Sequence, residues 1–295
     1  MAWHRRRLLH RAWAILRDTF VAFFNDNALS RGAALAFYTV FALAPVLLIA
    51  IAVAGLLFGR AAAQGAVVQE LSGLMGSSSA QALQAMLKGA FLHRGSGWLA
   101  TAIGGVTLVV TATGVFAELQ NSLNEIWKTE PTAFTTAEII RVRLLSLGLI
   151  GAVGFLLIVS LVMSTVLRAV GNRLSDIAPN TTTLIVYANG IGTFVLLSFM
   201  FAAIYKVLPD RWIAWHDVAV GAIMTSLLFA AGKFLISLYI GGSAIATAYG
   251  SAGSIIVMLI WVYYSAQIFL LGAEFTKVWA TRREQPWHQD AGNLS

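Results

Sequence analysis

Gln267 and Glu274 stand seven residues apart in "VYYSAQIFLLGAEFTKVWA", residues 262–280, inside an otherwise apolar run. Tyr263 shares their helical face, because residues four and seven apart stack on one side of an α-helix. Lys233 is a further charge set within a long apolar stretch. Such groups can form a reaction centre, line a polar passage, or join helices as a seam. A reaction centre needs converging acid and base groups or metal ligands. Glu118, Glu125, Glu130, Glu138, Asp210 and Asp217 are spaced instead as ordinary solvated or capping charges. The five histidines, His4, His10, His93, His216 and His288, lack the i, i+4 pairing of a helical metal site. With no cysteine in the chain there is no thiolate ligand, thiol nucleophile or disulfide framework. No catalytic, metal or cofactor site is expected, and the chain is not expected to be an enzyme. Passage and seam stay open.

The elements that must position these groups follow from hydropathy. A chain of 295 residues that is 58% hydrophobic and 11% charged has too little polar surface to coat a soluble globule. Its apolar runs predict six membrane-spanning helices at 35–58, 98–117, 144–167, 183–206, 218–240 and 253–276. The expected fold is therefore all-α: a polytopic bundle of six transmembrane helices with short amphipathic interfacial helices. The chain reads as one membrane domain over 1–295, with an N-terminal amphipathic segment at 1–30, an external helical segment at 60–97 and a tail at 280–295.

Of the 20 Lys and Arg residues, 14 fall on the side of the N-terminus, five on the opposite side, and Lys233 lies within a span. That imbalance predicts cytoplasmic termini, and it assigns the net charge of +7 to topology and to anionic lipid at the cytoplasmic face, with no nucleic-acid partner. A protein partner or a second copy stays open. Trp13, Leu16, Phe20 and Phe23 form an apolar stripe opposite Arg11 and Arg17, which fits a helix lying on the membrane or one packed on the bundle. Between the first two spans, Val67, Val68, Leu71, Leu74 and Met75 form one stripe, and Leu83, Met86, Leu87 and Phe91 a second. Two short helices covering the outer mouth are expected there.

Depth sorts the polar residues into two levels. At 1.5 Å per residue, Glu274 lies roughly 31 Å from the outer face and Lys233 about 22 Å from the inner one, so they are not partners. Asn189, Tyr187 and Ser160 fall about 6 to 10 Å below the outer surface, near Lys233. Tyr263, Gln267 and Glu274 belong to the inner half of the passage or seam. Glu118, Arg141 and Arg143 are candidate ion-pair groups at the depth of Glu274. Pro45, Gly250 and Gly253 are candidate hinges.

Four blocks carry a family resemblance: "GAALAFYTVFALAPVLLIAIA" at 32–52, "LQNSLNEIW" at 119–127, "YKVLPDRWIAWHDVAVGAIM" at 205–224 and "YGSAGSIIVMLIWVYYSAQIFLLGAEFTKV" at 249–278. The chain resembles the YihY/BrkB family of bacterial inner-membrane proteins, once labelled ribonuclease BN. The resemblance implies six helices, both ends cytoplasmic, and links to envelope integrity, serum resistance or lipid trafficking. Pro45, Pro209, Gly250, Gln267 and Glu274 match motif positions without an assigned chemistry. The expected function is transport or flipping of an envelope lipid or amphiphile, with a non-transporting membrane scaffold as the alternative.

Overall fold

A computed structural model describes residues 2–59, 64, 65, 68, 69, 72, 81, 83, 84, 114–129, 181–242 and 253–284. Among the described residues the secondary structure is helical, with no strand. Among the described residues six helices have continuous ranges, in chain order α1 (Ala2–Asn25), α2 (Ala28–Phe58), α3 (114–126), α4 (Thr181–Val207), α5 (Trp215–Gly242) and α6 (Gly253–Glu284). Three of them, α4 to α6, are long and apolar enough to cross a membrane by length and composition, and the start of α2, Ala28–Leu43, forms a shorter apolar helix. The expected spans at 183–206, 218–240 and 253–276 lie inside α4, α5 and α6, and 35–58 lies inside α2. The span at 144–167, and 98–117 apart from helical 114–117, lie outside the described residues.

Helix ends explain two of the boundaries. Asn27, with φ 53°, turns α1 into α2 within two residues. Its left-handed backbone suits Asn better than most side chains. Lys128 adopts φ 50° just beyond α3, where Lys128 N–H bonds the Glu125 carbonyl at 3.1 Å and Thr129 N–H bonds the Asn124 carbonyl at 2.9 Å. That pair of bonds is a Schellman ending, in which the left-handed place is usually glycine. At the far end of α6 the helix runs eight residues beyond 276, into Arg282 and Arg283 of its last turn.

α6 is the central helix, packed against α5, α2 and α1, while α4 packs against α5. The α5·α6 contact is a reciprocal small-residue seam. Gly221 faces Thr276, and Gly272 faces Thr225. Each threonine hydroxyl bonds the glycine carbonyl four residues back on its own helix, both at 2.7 Å. The hydroxyls are thereby satisfied without a polar partner across the seam, and the backbones can approach closely. Tyr205 of α4 reaches in, donating to the Phe269 carbonyl at 2.7 Å and lying 3.1 Å from Thr225 Oγ1. Around it Phe201, Phe229 and Phe269 complete an aromatic cluster.

Leu83 is buried with Ala36, Val40, Leu47, Ile51, Met258 and Val262. This described residue of the 60–97 segment is thus packed on α2 and α6. α1 carries a correction. Its exposed stripe is Trp13, Leu16, Phe20 and Phe24, whereas Phe23 is buried. Phe23 sits four residues from buried Thr19, on the face toward α6, and so joins the core in place of the outer stripe.

Candidate functional site: a charged collar at the α1 end

The polar groups of the described residues concentrate where the α1–α2 turn, the end of α3, the α4–α5 turn and the end of α6 meet. At the centre is Asp26, placed by the tight turn at Asn27. Lys128 Nζ donates to its Oδ1 at 2.7 Å, and Lys277 Nζ donates to its Oδ2 at 3.2 Å. Lys128 also bonds Glu125 at 3.1 Å, which Arg31 approaches at 3.5 Å. The reach of its ammonium to two carboxylates accounts for a lysine in a backbone conformation that favours glycine. Burial by itself would raise the Asp26 pKa, but hydrogen bonds from Lys128 and with Glu274, together with the Lys277 ammonium, outweigh it and hold the carboxyl below its ordinary 3.8. The hydrogen bond to Asp26, opposed by partial burial, raises the Lys128 pKa above 10.5.

Glu274 lies three residues before Lys277, on α6. Its side chain is 0% exposed, and its Oε2 is 3.7 Å from Lys277 Nζ. No N–H or hydroxyl donor among the described residues reaches either of its oxygens, and its hydrogen-bonding neighbour is the Asp26 carboxyl. Lys277 therefore stands between two carboxylates and is nearer to Asp26. A buried carboxyl whose neighbours are a second carboxyl and an ammonium 3.7 Å away recovers only part of its lost hydration, so packing stability alone does not explain Glu274.

The rest of the α6 stripe runs along α2. Gln267 donates to the Leu29 carbonyl at 3.4 Å and packs its amide on Gly32, where a Cβ would collide with it. Tyr263 packs on the cluster holding Ala36 and Val40. Tyr263, Gln267 and Glu274 thus follow α2 down to its first turn, and Gln267 is part of a helix seam.

Sequence spacing did not single out a second junction. Asp210, from the α4–α5 turn, accepts bonds from Gln120 Nε2 at 3.0 and 3.1 Å and from Asn124 Nδ2 at 2.8 Å. Asp210 N–H returns a bond to Asn124 Oδ1 at 2.9 Å. Arg211 caps the Trp127 carbonyl and lies over its ring. Two of the motif blocks, "LQNSLNEIW" and "LPDRW", therefore meet in space. Gln120 and Asn124 are four apart on one face of α3, the one sequence signal that they act together. Asp217, another residue read as an ordinary surface charge, is buried and pairs with Arg283 at 2.9 Å. Arg282 pairs with Asp18 of α1.

The remaining candidates are dispersed. Glu118 accepts from Ser122 at 3.4 Å, while Arg141, Arg143 and Ser160 lie outside the described residues. Tyr187 is 67% exposed, and Lys233 is half-buried on α5, several turns from the collar. Asn189 falls within α4, α2 is helical on both sides of Pro45, Gly253 begins α6, and Gly250 lies outside the described residues. Among the described residues no three His, Asp or Glu side chains gather as metal ligands.

One family profile, described as Virulence factor BrkB, matches residues 19–293. The ribonuclease-like protein YfkH of Bacillus subtilis is 31% identical over 190 residues, covering 59% of this chain and 69% of that one. A UPF0761 membrane protein of Pseudoalteromonas atlantica is 33% identical over 183 residues, covering 60% of this chain and 57% of its own length. Another, from Stenotrophomonas maltophilia, is 28% identical over 295 residues, covering 96% of this chain and 64% of the relative. The chain thus spans less than two thirds of each of the two UPF0761 relatives. No solved structure matches it.

Proposed function

The chain belongs to the Virulence factor BrkB family of membrane proteins, and on that premise we propose that it moves a lipid or another amphiphile across the bacterial inner membrane, with both termini in the cytoplasm. The observation that carries this reading is Glu274, a fully buried carboxyl that meets a second carboxyl, Asp26, and shares the Lys277 ammonium with it. Intramembrane ionisable groups are costly and mark substrate or ion paths. A polar head group passing along α6 would find an acceptor there, and Lys277 would shift its weight between Asp26 and Glu274 as that group arrived.

The test is lipid movement in reconstituted vesicles, followed with head-group-labelled phospholipid and a membrane-impermeant quencher. The protein is expected to move label between leaflets. Glu274→Ala is expected to slow it about tenfold or more, equivalent to about 1.4 kcal/mol or more in the barrier. No movement by the wild-type protein, or equal rates for the variant, would defeat the proposal.

A second reading, a non-transporting envelope scaffold, is favoured by the two cross-linked junctions at Asp26 and Asp210, which tie four parts of the chain together. It calls for a stoichiometric partner that co-purifies with the chain and is lost when residues 60–97 are replaced. The ribonuclease-like name belongs to the Bacillus relative; the proposal assigns no such activity here.

A further inference from the structure

α1 presents an apolar face that is exposed among the described residues. Trp13 is 70% exposed, Leu16 39%, Phe20 51% and Phe24 61%, and their spacing of three and four residues sets them on one side of the helix. The opposite side is fixed. Thr19 and Phe23 are buried, Asp18 pairs with Arg282, and Arg282 also reaches the Ala14 carbonyl at 3.5 Å. α1 therefore cannot roll to hide its aromatic face without breaking its attachment to α6.

Only Asp26 and Asn27 separate α1 from α2, whose first 16 residues, Ala28–Leu43, are apolar. α2 continues with exposed Leu29, Phe37 and Phe41. So short a turn holds the end of α1 at the level where α2 enters the bilayer. The charges point the same way. The sequence of α1 holds five arginines, Arg5, Arg6, Arg7, Arg11 and Arg17, and one acidic residue, Asp18, which Arg282 engages.

We propose that α1 is a strap lying in the headgroup region of an anionic lipid leaflet, with Trp13, Leu16, Phe20 and Phe24 inserted toward the acyl chains and its arginines, Arg17 among them, on lipid phosphates. Arg17 is four residues from Trp13 and three and seven from Phe20 and Phe24, so it shares their face and its long side chain snorkels from there to the phosphates. An aromatic face on an arginine-rich helix is the pattern of helices that lie in the interface plane. Arg282 and the Asp26 turn connect the strap to both ends of the collar, so the leaflet contacts the elements that hold Glu274. This inference stands apart from transport and holds equally for a scaffold.

The chain contains no cysteine, so a single spin label can be placed at will. Phe20→Cys, Phe24→Cys and, as a polar-edge control, Asn25→Cys would each be labelled in the full-length protein in nanodiscs with and without phosphatidylglycerol. All three positions are exposed, and a monodisperse elution profile verifies folding. In anionic discs, collisions with oxygen are expected to dominate over those with a water-soluble nickel chelate at positions 20 and 24, and the reverse at position 25. Arg17→Gln is expected to lower the ratio of docked to undocked label about fivefold, the attraction of one basic residue near an anionic surface. Nickel dominance at 20 and 24, exclusion of both reagents, dipolar broadening from a second copy, or docking unaffected by phosphatidylglycerol and by Arg17→Gln would each overturn the proposal.

Discussion

Asp26 and Glu274 are two buried carboxyls sharing one lysine, yet stability depends on them differently. Asp26 has two ammonium donors, so Asp26→Asn should cost about 1 to 3 kcal/mol, with the half-exposed Lys128 supplying the smaller part. Its pKa is lowered in the folded protein, so the stabilisation is present above the unfolded value of 3.8 and is lost as pH falls through the lower folded value. Lys128 has the opposite sign: its contribution is whole below 10.5 and is lost as pH rises through its elevated folded value. Thermal unfolding in detergent should therefore show a gap between wild type and Asp26→Asn that closes in strong acid, as pH falls through the lowered Asp26 value. A gap that grows on acidification would contradict the ion-pair geometry. Glu274→Gln should leave stability within about 1 kcal/mol, because the amide can still donate to Asp26. A retained melting temperature with lost lipid movement separates function from packing at this residue. Legibility at this scale was uneven. Glu274 stood out as a charge in an apolar run, whereas Asp210 read as an ordinary solvated or capping charge and Asp26 drew no reading, because their partners, Gln120 and Asn124 for one and Lys128 and Lys277 for the other, are 86 to 251 residues away.

Helices α5 and α6 owe their contact to two glycines, each facing a threonine of the other helix. A β-branched threonine stiff at χ1 cannot swing away from an added methyl group. Gly221→Ala or Gly272→Ala should each cost about 1 to 3 kcal/mol by overpacking, read as a lowered melting temperature in detergent. Gly32→Ala meets the flexible end of Gln267 instead and should cost less, losing chiefly the weak bond to Leu29. A larger effect at Gly32 than at Gly272 would refute this ordering. The Asp210 junction makes a matching prediction: Asp210→Ala should loosen α3 from the α4–α5 turn and speed proteolysis there, because Gln120 and Asn124 lose their shared acceptor. At element scale the apolar runs located α4, α5 and α6 to within a few residues at their starts. Helix α6 runs eight residues beyond the expected span, where Arg282 and Arg283 are held by Asp18 and Asp217.

For the whole molecule, the charge bias of the loops argues that both ends share one side of the membrane. Reporter fusions at residue 1 and after residue 295 should both score cytoplasmic, and opposite scores would remove the six-helix reading. The collar joins the α1–α2 turn, α3, the α4–α5 turn and α6 at one end of the bundle. Sequence alone determined that this chain is an α-helical membrane protein and where most of its apolar helices run. Length and hydropathy set those properties, since every backbone polar group in a bilayer must be satisfied within its own segment. Tertiary structure alone decided which polar residues meet. α1 is bound to the end of α6 on one face and bare on the other, and the tight turn at Asn27 carries Asp26 to Lys277. Helical periodicity fixes the face on which a side chain lies, but not which distant helix comes to rest against it. That choice depends on steric fit between small residues and on charges brought together across long stretches of chain, neither of which is written in any local window.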